Sequence, residues 1–218
     1  MTFSMPSFSF SAGRLGLAVL LACSALSAQS LTPSGPAFKA SAPTRQFLSP
    51  EQADILSHLS VVYLDDGQGG MVKTIRIDGA NLQVVNGQGT SDTTNGLGNL
   101  IVGYNELGNP NGDDRTGSHN LVTGQANSFT SHGGLVAGRG NSVSGPWSSV
   151  SGGRESTASD PHSSVSGGAG NTASGNFSSI SGGDNNTAGG TWSSVSGGRS
   201  RSALNVDNWA AGSLFENN

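Results

Sequence analysis

Four ring-bearing side chains recur at a constant interval in the second half of the chain. They are Trp147, His162, Phe177 and Trp192, each 15 residues after the one before. In a fold that repeats with the same period, these rings align as a row along one edge. Such a row either stabilises neighbouring repeats by stacking or, where it is exposed, marks an interaction site. We therefore take this aromatic row as the candidate interface, for another subunit or for a ligand, with a purely stabilising spine as the alternative.

Residues of the types that perform catalysis or bind metal ions occur in the sequence, but their spacings match no known catalytic or metal-binding motif. The histidines are His58, His119, His132 and His162. Their separations match no metal-ligand motif, so we expect structural or exposed roles. Glu106, Asp113 and Asp114 share a polar loop whose spacing fits no calcium-binding loop, so we expect solvated carboxylates. Neither a G-x-S-x-G motif nor a complete G-x-G-x-x-G motif occurs, so the sequence predicts no enzyme, no cofactor and no metal site.

The element that positions these residues is a tandem repeat with a bipartite period of 14–15 residues. Two apolar columns alternate along it, and both are predicted to face inward. The valine column consists of Val122, Val136, Val150, Val165, Ile180 and Val195, and the alanine column consists of Ala158, Ala173, Ala188 and Ala203. Since neighbouring side chains of a strand face opposite ways, the Ser and Thr residues beside each column face outward. With glycine-rich corners between the columns, the sequence predicts an all-β fold, a single-stranded parallel β-roll or β-solenoid of 14–15-residue repeats.

Composition agrees with a thin solenoid. The chain has 218 residues, of which 34 are Gly, and only 33% are hydrophobic and 11% charged. The apolar fraction is low for a conventional core, while the low charge and the strict period argue against disorder. The net charge is −4, and no Lys/Arg cluster occurs, so we expect no nucleic-acid partner.

The first segments of the chain are typical of an exported protein. Residues 1–28 carry Arg14, a short apolar run and small residues, as a signal peptide does. The single cysteine, Cys23, follows a Leu-Leu-Ala sequence that is similar to a bacterial lipoprotein cleavage box. Lipidation of Cys23 is therefore the alternative to simple secretion. Residues 29–48, rich in Pro, Ser, Ala and Thr, are predicted to form a flexible linker.

Residues 49–97 are predicted to form a cap on the first coil. A short helix begins at Ser49-Pro50, and a β-meander follows, with strands near 61–64, 71–77 and 82–84. Residues 98–218 are predicted to form the β-roll repeats and a C-terminal cap, in which residues 209–215 make a last rung and an apolar plug. The first repeat carries an inserted polar loop, 106–117, whose role the sequence leaves open.

The repeat resembles a known family. Asn171-Thr172-Ala173-Ser174-Gly175, followed by Ser179-Ile180-Ser181-Gly182, is similar to the head repeat of YadA-like trimeric autotransporter adhesins. The resemblance covers roughly residues 98–212 and implies a left-handed parallel β-roll that trimerises. In the later repeats of this chain the period is 15 residues, whereas the family's repeats usually have 14. No heptad stalk or membrane-anchoring barrel follows the repeats. We therefore expect a head-like module that does not export itself as an autotransporter does.

These features predict a secreted or bacterial cell-surface module with a structural, adhesin-like role. It is expected to form a homo-oligomer, either a trimer or a filament, and to bind surface proteins or glycans through its repeat faces. A membrane contact is expected only if Cys23 is lipidated, which would make the chain a surface lipoprotein. A second alternative is an ice- or crystal-surface-binding solenoid, because Thr157, Thr172 and Thr187 form a regular column.

Overall fold

The computed structural model describes residues 48–212. The predicted signal peptide, Cys23, the linker up to residue 47 and the apolar plug at Leu214-Phe215 lie outside the described residues. Within the described part, the chain begins with helix α1, Pro50–Ser57, and continues into strands β1, Leu59–Asp65, and β2, Met71–Ile77. No helix of this part is long and apolar enough to cross a bilayer.

Strands β1 and β2 form an antiparallel hairpin. Its turn is held by two aspartates: Asp65 accepts a hydrogen bond from the Gly67 amide, and Asp66 accepts from the amides of Gln68 and Gly70, each at 2.8 Å. The prediction of a third meander strand at 82–84 was wrong, because residues 81–86 form no strand. The chain instead leaves the hairpin to join the end of the solenoid, where Asn86 is buried.

The prediction of a parallel β-solenoid is confirmed. Its strands are β3 Leu100–Val102, β4 Leu121–Gln125, β5 Ser128–Phe129, β6 Leu135–Arg139, β7 Ser142–Val143, β8 Ser149–Val150, β9 Thr157–Ala158, β10 Ser164–Val165, β11 Thr172–Ala173, β12 Ser179–Ile180, β13 Thr187–Ala188, β14 Ser194–Val195, β15 Ser202–Ala203 and β16 Trp209–Ala210. They make two parallel walls, an eight-stranded sheet of β3 and the even-numbered strands β4 to β16, and a six-stranded sheet of the odd-numbered strands β5 to β15. Each coil contributes one short strand to each wall.

The register between coils follows the repeat. Val165 pairs with Val150 on one side and Ile180 on the other, and Ala173 pairs with Ala158 and Ala188. Every residue of the valine and alanine columns lies inside the solenoid with at most 1% of its surface exposed. Phe129 and Val143 fill the second wall's inward position in the first coils, and alanine takes it from Ala158 onward. Because the later coils therefore bury little apolar mass, the backbone pairing between neighbouring coils carries much of their stability.

The interior also contains polar columns, which the sequence prediction did not place inside. One, the asparagine ladder, includes Asn127, Asn141, Asn171 and Asn186, and another consists of Ser148, Ser163, Ser178 and Ser193. The ladder bonds one coil to the next: the Asn186 amide donates to Oδ1 of Asn171 at 2.9 Å, and Nδ2 of Asn171 donates to the Gly183 carbonyl at 3.0 Å. These bonds satisfy the buried amides, which would otherwise destabilise the interior.

The N-terminal end of the solenoid is closed by a polar coil, residues 86–99. Asn95 donates its amide to Oγ of Ser118 at 3.0 Å, and Asn99 accepts from the amide of Asn120 at 2.9 Å. The helix and the hairpin, in contrast, keep their apolar side chains exposed. Within the predicted cap, it is therefore this later stretch that satisfies the backbone groups of the first rungs.

The inserted loop, 106–117, closes the same end of the second wall. Nδ2 of Asn109 donates to the carbonyls of Ala126 and Asn141, both at 2.9 Å, and the amide of Phe129 donates to the Asp114 carbonyl at 2.8 Å. The loop thus supplies the hydrogen-bond partner that β5 lacks on its outer edge. This gives the insertion a structural role.

Candidate interaction surface

The aromatic row lies on one edge of the solenoid, where each coil turns between its two walls. The turn that carries Phe177 runs from Gly175 to Ser178 and is closed by the Ser178 amide, which donates to the Gly175 carbonyl at 3.0 Å. Phe177 occupies its third position, with φ at +58°. Trp147, His162 and Trp192 occupy the same position of their own turns, with φ between +54° and +59°.

A hydrogen bond along the solenoid axis fixes each of these turns against the previous coil. The Phe177 amide donates to the Pro161 carbonyl at 3.1 Å, and the Trp192 amide donates to the Asn176 carbonyl at 2.9 Å. Turns with a positive φ at the third position ordinarily take Gly or Asn there. The repeat therefore places large rings at a backbone position that favours small or amide side chains.

The rings stack on one another at the spacing of the coils. Trp147 and His162 have centroids 5.0 Å apart with planes 11° from parallel, and His162 and Phe177 are 4.7 Å apart and 1° from parallel. Phe177 and Trp192 follow at 6.4 Å and 14°. His132, which stands 15 residues before Trp147, extends the row with an edge-on contact at 5.0 Å. The same interval could have revealed His132 in the sequence.

The backbone conformation gives the row a stability cost. A left-handed residue with a side chain is less stable than its right-handed form by about 1–2 kcal/mol, whereas each aromatic contact returns about 0.5–1.5 kcal/mol. The two effects are of similar size. Stability alone therefore does not favour rings over Gly or Asn at these turns.

The rings remain accessible to solvent despite their stacking. The exposed fractions of Trp147, Phe177 and Trp192 are 53%, 47% and 59%. Because their planes lie nearly parallel, the faces point at neighbouring rings, and the edges point outward. The row therefore presents a stripe of aromatic C–H edges, which carry partial positive charge and suit oxygen acceptors and aliphatic groups.

The two walls beside this edge carry hydroxyl groups in register. On the eight-stranded sheet, Ser149, Ser164, Ser179 and Ser194 form one outward column. On the six-stranded sheet, the outward column contains Thr157, Thr172 and Thr187. Nδ2 of Asn111, from the inserted loop, donates to Oγ1 of Thr157 at 3.4 Å, so this loop partly covers the threonine column. The serine wall is the more regular of the two.

The acidic residues of the inserted loop make hydrogen bonds with other residues of the same loop. The Asp113 carboxylate accepts from the amides of Gly108, at 2.9 Å, and Asn109, at 3.2 Å, and these backbone bonds hold the pKa of Asp113 below its usual value. Asp114 accepts from the amide and hydroxyl of Thr116, and Glu106 contributes its backbone carbonyl to Arg115. Among the described residues, no three His, Cys, Asp or Glu side chains cluster as metal ligands would.

The histidines also have individual places. His58 bonds the Asp78 carbonyl through Nδ1 at 2.8 Å, at the base of the hairpin. His119 accepts from the Asn86 amide at 3.2 Å and lines a cavity of about 400 Å³ beside the polar coil. His132 and His162 belong to the edge with the rings. The structure thus brings together only the predicted ring residues, not the acidic residues or the remaining histidines.

No protein-family model matches this chain, and no curated protein matches its sequence. The likeness to YadA-like heads rests on the repeat residues named above. What the structure adds is the parallel solenoid itself.

Proposed function

We propose that this chain is an exported structural module that binds surfaces and copies of itself, in the manner of an adhesin head. The predicted signal peptide and the similarity to YadA-like heads support an extracellular site, either secreted or on a bacterial surface. The parallel solenoid supports a rigid, repetitive binding face, because each coil presents the same groups at intervals of about 4.8 Å.

The observation that carries this proposal is the aromatic row. Trp147, Phe177 and Trp192 are each about half exposed although they occupy backbone positions that disfavour them. Exposed aromatic stripes are characteristic of interaction sites. Since the ring edges rather than the faces point outward, the row suits proteins and other mixed apolar surfaces better than flat stacking on a sugar ring.

The test compares adsorption of the wild type and a Trp147→Ser/Phe177→Ser/Trp192→Ser variant on methyl-terminated and hydroxyl-terminated monolayers with a quartz-crystal microbalance. We expect the variant to lose at least about tenfold in affinity for the methyl surface, because each lost ring removes more than about 1 kcal/mol of apolar contact. Circular dichroism checks that the fold persists. Unchanged adsorption by a folded variant would refute the role of the row.

A matched control removes other exposed apolar groups from the last coils. Leu204 and Val206 are 61% and 59% exposed, comparable with the rings, but lie outside the row. A Leu204→Ser/Val206→Ser variant should adsorb as the wild type does. Equal losses in both variants would mean that adsorption follows total exposed apolar area and that the row is no specific site.

Self-association is the second part of the proposal. The resemblance implies a trimer, and a solenoid that presents the same groups on successive coils is also compatible with a filament. Sedimentation equilibrium of the exported protein separates monomer, trimer and filament. A monomer at high micromolar concentration would remove the homo-oligomer from the proposal and leave surface binding to be decided by adsorption.

A crystal-surface binder is the alternative that the threonine column predicts. Thr172 pairs in register with Thr157 and Thr187, so their hydroxyl groups form one regular row on the six-stranded wall. Thermal hysteresis of the purified protein is the expected signature of ice binding. Its absence at high protein concentration would exclude this alternative.

Lipidation at Cys23 would make the same module a surface lipoprotein. The prediction concerns only how the chain is anchored and leaves the binding faces unchanged. Intact mass spectrometry of the exported protein distinguishes an N-terminal lipidated Cys23 from cleavage near Ala28. A mature chain that begins after Cys23 would exclude the anchor.

A further inference from the structure

The edge of the solenoid that does not carry the aromatic row has a column of charged residues. At this edge the chain passes from the eight-stranded wall to the six-stranded wall, and one residue of each coil pairs in register with the next. The column, which we call the arginine column, consists of Gln125, Arg139, Arg154, Ala169, Asp184 and Arg199. Because neighbouring coils are about 4.8 Å apart, the column places these side chains in a line along the solenoid axis.

Two arginines lie next to each other in this column. Arg139 pairs with Arg154 on the next coil, and both side chains are exposed. Like charges at paired positions of neighbouring strands repel each other. Within the described part of the chain, neither guanidinium group forms an ion pair. Glu155 follows Arg154 directly, but its side chain lies over Gly140. The pair therefore presents two positive charges that the described residues leave unneutralised.

The same column also contains the neutralised arrangement. Nε of Arg199 donates to Oδ2 of Asp184 on the previous coil at 3.1 Å. Ala169 occupies the coil between Arg154 and Asp184, so the corner also accepts a small uncharged residue. The solenoid thus requires no positive charge at this position. A bound anion, by contrast, would turn the repulsion between the two arginines into a pair of favourable contacts.

The surface continues from the arginines toward the first coil. Tyr104 stands two residues after Val102, as Gln125 does after Thr123, and Val102 pairs in register with Thr123. Tyr104 is 93% exposed, and Gln125 is also exposed. The face of an aromatic ring attracts C–H groups such as those of a sugar ring, and an amide both donates hydrogen bonds to hydroxyl groups and accepts from them. Together with the two arginines, these residues offer contacts for a sugar chain and its acid groups.

The spacing and the net charge favour a particular class of anion. The planar guanidinium group matches the two oxygens of a carboxylate or sulfate group. The distance between neighbouring coils is close to the length of one sugar unit in an extended chain, so acid groups on one or two successive sugars can reach both arginines. Nucleic acid is a poorer ligand, because its binding needs many cations and this chain has a net charge of −4.

We propose that Arg139 and Arg154 bind the acid groups of an anionic polysaccharide that runs along the arginine column toward Gln125. This goes beyond the surface binding proposed above, because the site lies on the other edge of the solenoid and recognises charge. Carboxylate and sulfate groups share the chemistry that the arginines recognise. The experiment separates these two sources.

The test measures binding of the full exported chain by isothermal titration calorimetry in low-salt buffer. The carboxylate probe is an oligogalacturonate, and its fully methyl-esterified form has the same sugar chain without charge. The sulfate probe is dextran sulfate, with dextran as its uncharged counterpart. We expect binding to one or both of the charged polymers, none to the uncharged ones, and a loss of affinity as salt screens the contacts.

The variant Arg139→Gln/Arg154→Gln removes both charges and keeps a side chain that the column already carries at Gln125. We expect a loss of about tenfold in affinity for the charged polymer, because two charge-assisted contacts disappear. The control, Arg76→Gln/Arg199→Gln, changes the net charge by the same amount at other positions and should bind as the wild type does. Circular dichroism checks that all variants keep the solenoid.

A gain of affinity tests the direction of the polysaccharide. Gln125→Arg extends the pair to three arginines on successive coils, and it should raise the affinity by about threefold to tenfold. Gln68→Arg adds the same charge in the turn of the hairpin and should leave the affinity unchanged. Equal gains in the two variants, or no gain from Gln125→Arg, would contradict a ligand aligned with the column.

Several results would overturn the inference. They are absence of binding to both charged polymers, equal binding of the methyl ester, and unchanged affinity of a folded Arg139→Gln/Arg154→Gln variant. Equal losses in that variant and in the charge-matched control would mean that binding follows net charge alone. Tighter binding of single-stranded DNA or of polyglutamate would assign the surface to a nucleic acid or to an acidic protein instead.

This result is independent of the aromatic row. The Arg139→Gln/Arg154→Gln variant keeps Trp147, Phe177 and Trp192, so its adsorption on uncharged methyl-terminated monolayers should equal that of the wild type. Loss of polysaccharide binding with retained adsorption separates the two sites. If the polysaccharide site is refuted while adsorption is retained, the surface-binding role of the aromatic row stands alone.

Discussion

Replacement of Asn171 by Ala tests whether the asparagine ladder holds the coils together. The Asn171 side chain is fully buried and makes three hydrogen bonds. Its Nδ2 donates to the carbonyls of Gly167, at 2.9 Å, and Gly183, at 3.0 Å, and its Oδ1 accepts from the backbone amide of Asn186 at 2.9 Å. The Asn171 side chain therefore joins its own coil to the next one, through Gly183 and Asn186.

The cost of Asn171→Ala follows from these bonds. The two hydrogen bonds that Asn171 donates contribute about 1 kcal/mol each. The substitution also removes the acceptor of the buried backbone amide of Asn186, and leaving that amide unpaired costs about 1–3 kcal/mol. The substitution should therefore destabilise the coil by about 4 kcal/mol, a large value for one residue. We expect the solenoid to open locally at β11–β13 before it unfolds elsewhere, because repeats depend on their nearest neighbours.

The chain offers its own control at Ser156, which occupies the ladder position one coil earlier. Oγ of Ser156 accepts from the Asn171 amide and donates to the Arg154 carbonyl, both at 3.2 Å. Asn171→Ser should therefore keep an acceptor for the Asn186 amide and cost only about 1–2 kcal/mol. The reverse change, Ser156→Asn, should stabilise the coil by about 1 kcal/mol.

Native-state hydrogen exchange is the appropriate assay because a repeat array need not unfold in one step. At about 1.4 kcal/mol per factor of ten, the Asn186 amide should exchange about a thousandfold faster in Asn171→Ala and about tenfold faster in Asn171→Ser. Equal rates in the Ala and Ser variants would refute the reasoning. Such a result would mean that the lost acceptor carries no free energy.

Three further predictions address the corners, the row and the loop. Gly168→Ala should lower the free energy of unfolding in urea by more than about 3 kcal/mol, because φ is +87° and a Cβ would collide with the Gly183 carbonyl. The control is Gly167→Ala, whose Cβ would meet no atom, and it should change the free energy of unfolding by less than about 0.5 kcal/mol. Phe177→Asn should shift thermal stability by less than about 1 kcal/mol, because relief of the left-handed backbone offsets the lost stacking; a loss of several kcal/mol would favour the purely stabilising spine. The lowered pKa of Asp113 means that the fold prefers the ionised carboxylate, so its stabilising contribution is present above about pH 4 and is lost as the pH falls through the lowered folded pKa. In thermal melts over that acid range, Asp113→Asn should lose less melting temperature than the wild type does. Identical acid profiles of the two proteins would contradict the role of the backbone bonds.

The polar interior shows how far the repeat pattern could be read. Asn171 stands two residues before Ala173, and residues two apart in a strand share a face, so period alone would have placed it inside. Burial of an amide is unfavourable unless it is hydrogen-bonded, and its partners lie one coil away. A single period therefore contains no sign that the bonds exist. The stacking of coils supplies them.

The first part of the chain was harder to predict for a different reason. The alternation in Met71–Ile77 correctly indicated a strand, but Leu82–Val84 shows a similar alternation and forms none. A short alternating run becomes a strand only where another strand is available to pair with it. The chain beyond the hairpin turns instead toward the solenoid, where Asn86 and Asn95 find partners on the first rungs.

The amino-acid sequence by itself determined the coil. An interval of 14–15 residues, branched aliphatics facing alanines, and glycine at the corners require two short strands per period, because local periodicity and backbone freedom act within one repeat. Tertiary structure alone decided what the coils do to one another: rings stack edge-out on left-handed turns, and amides bond from rung to rung. These features depend on contacts between residues about one repeat apart, and such contacts exist only after the chain has stacked.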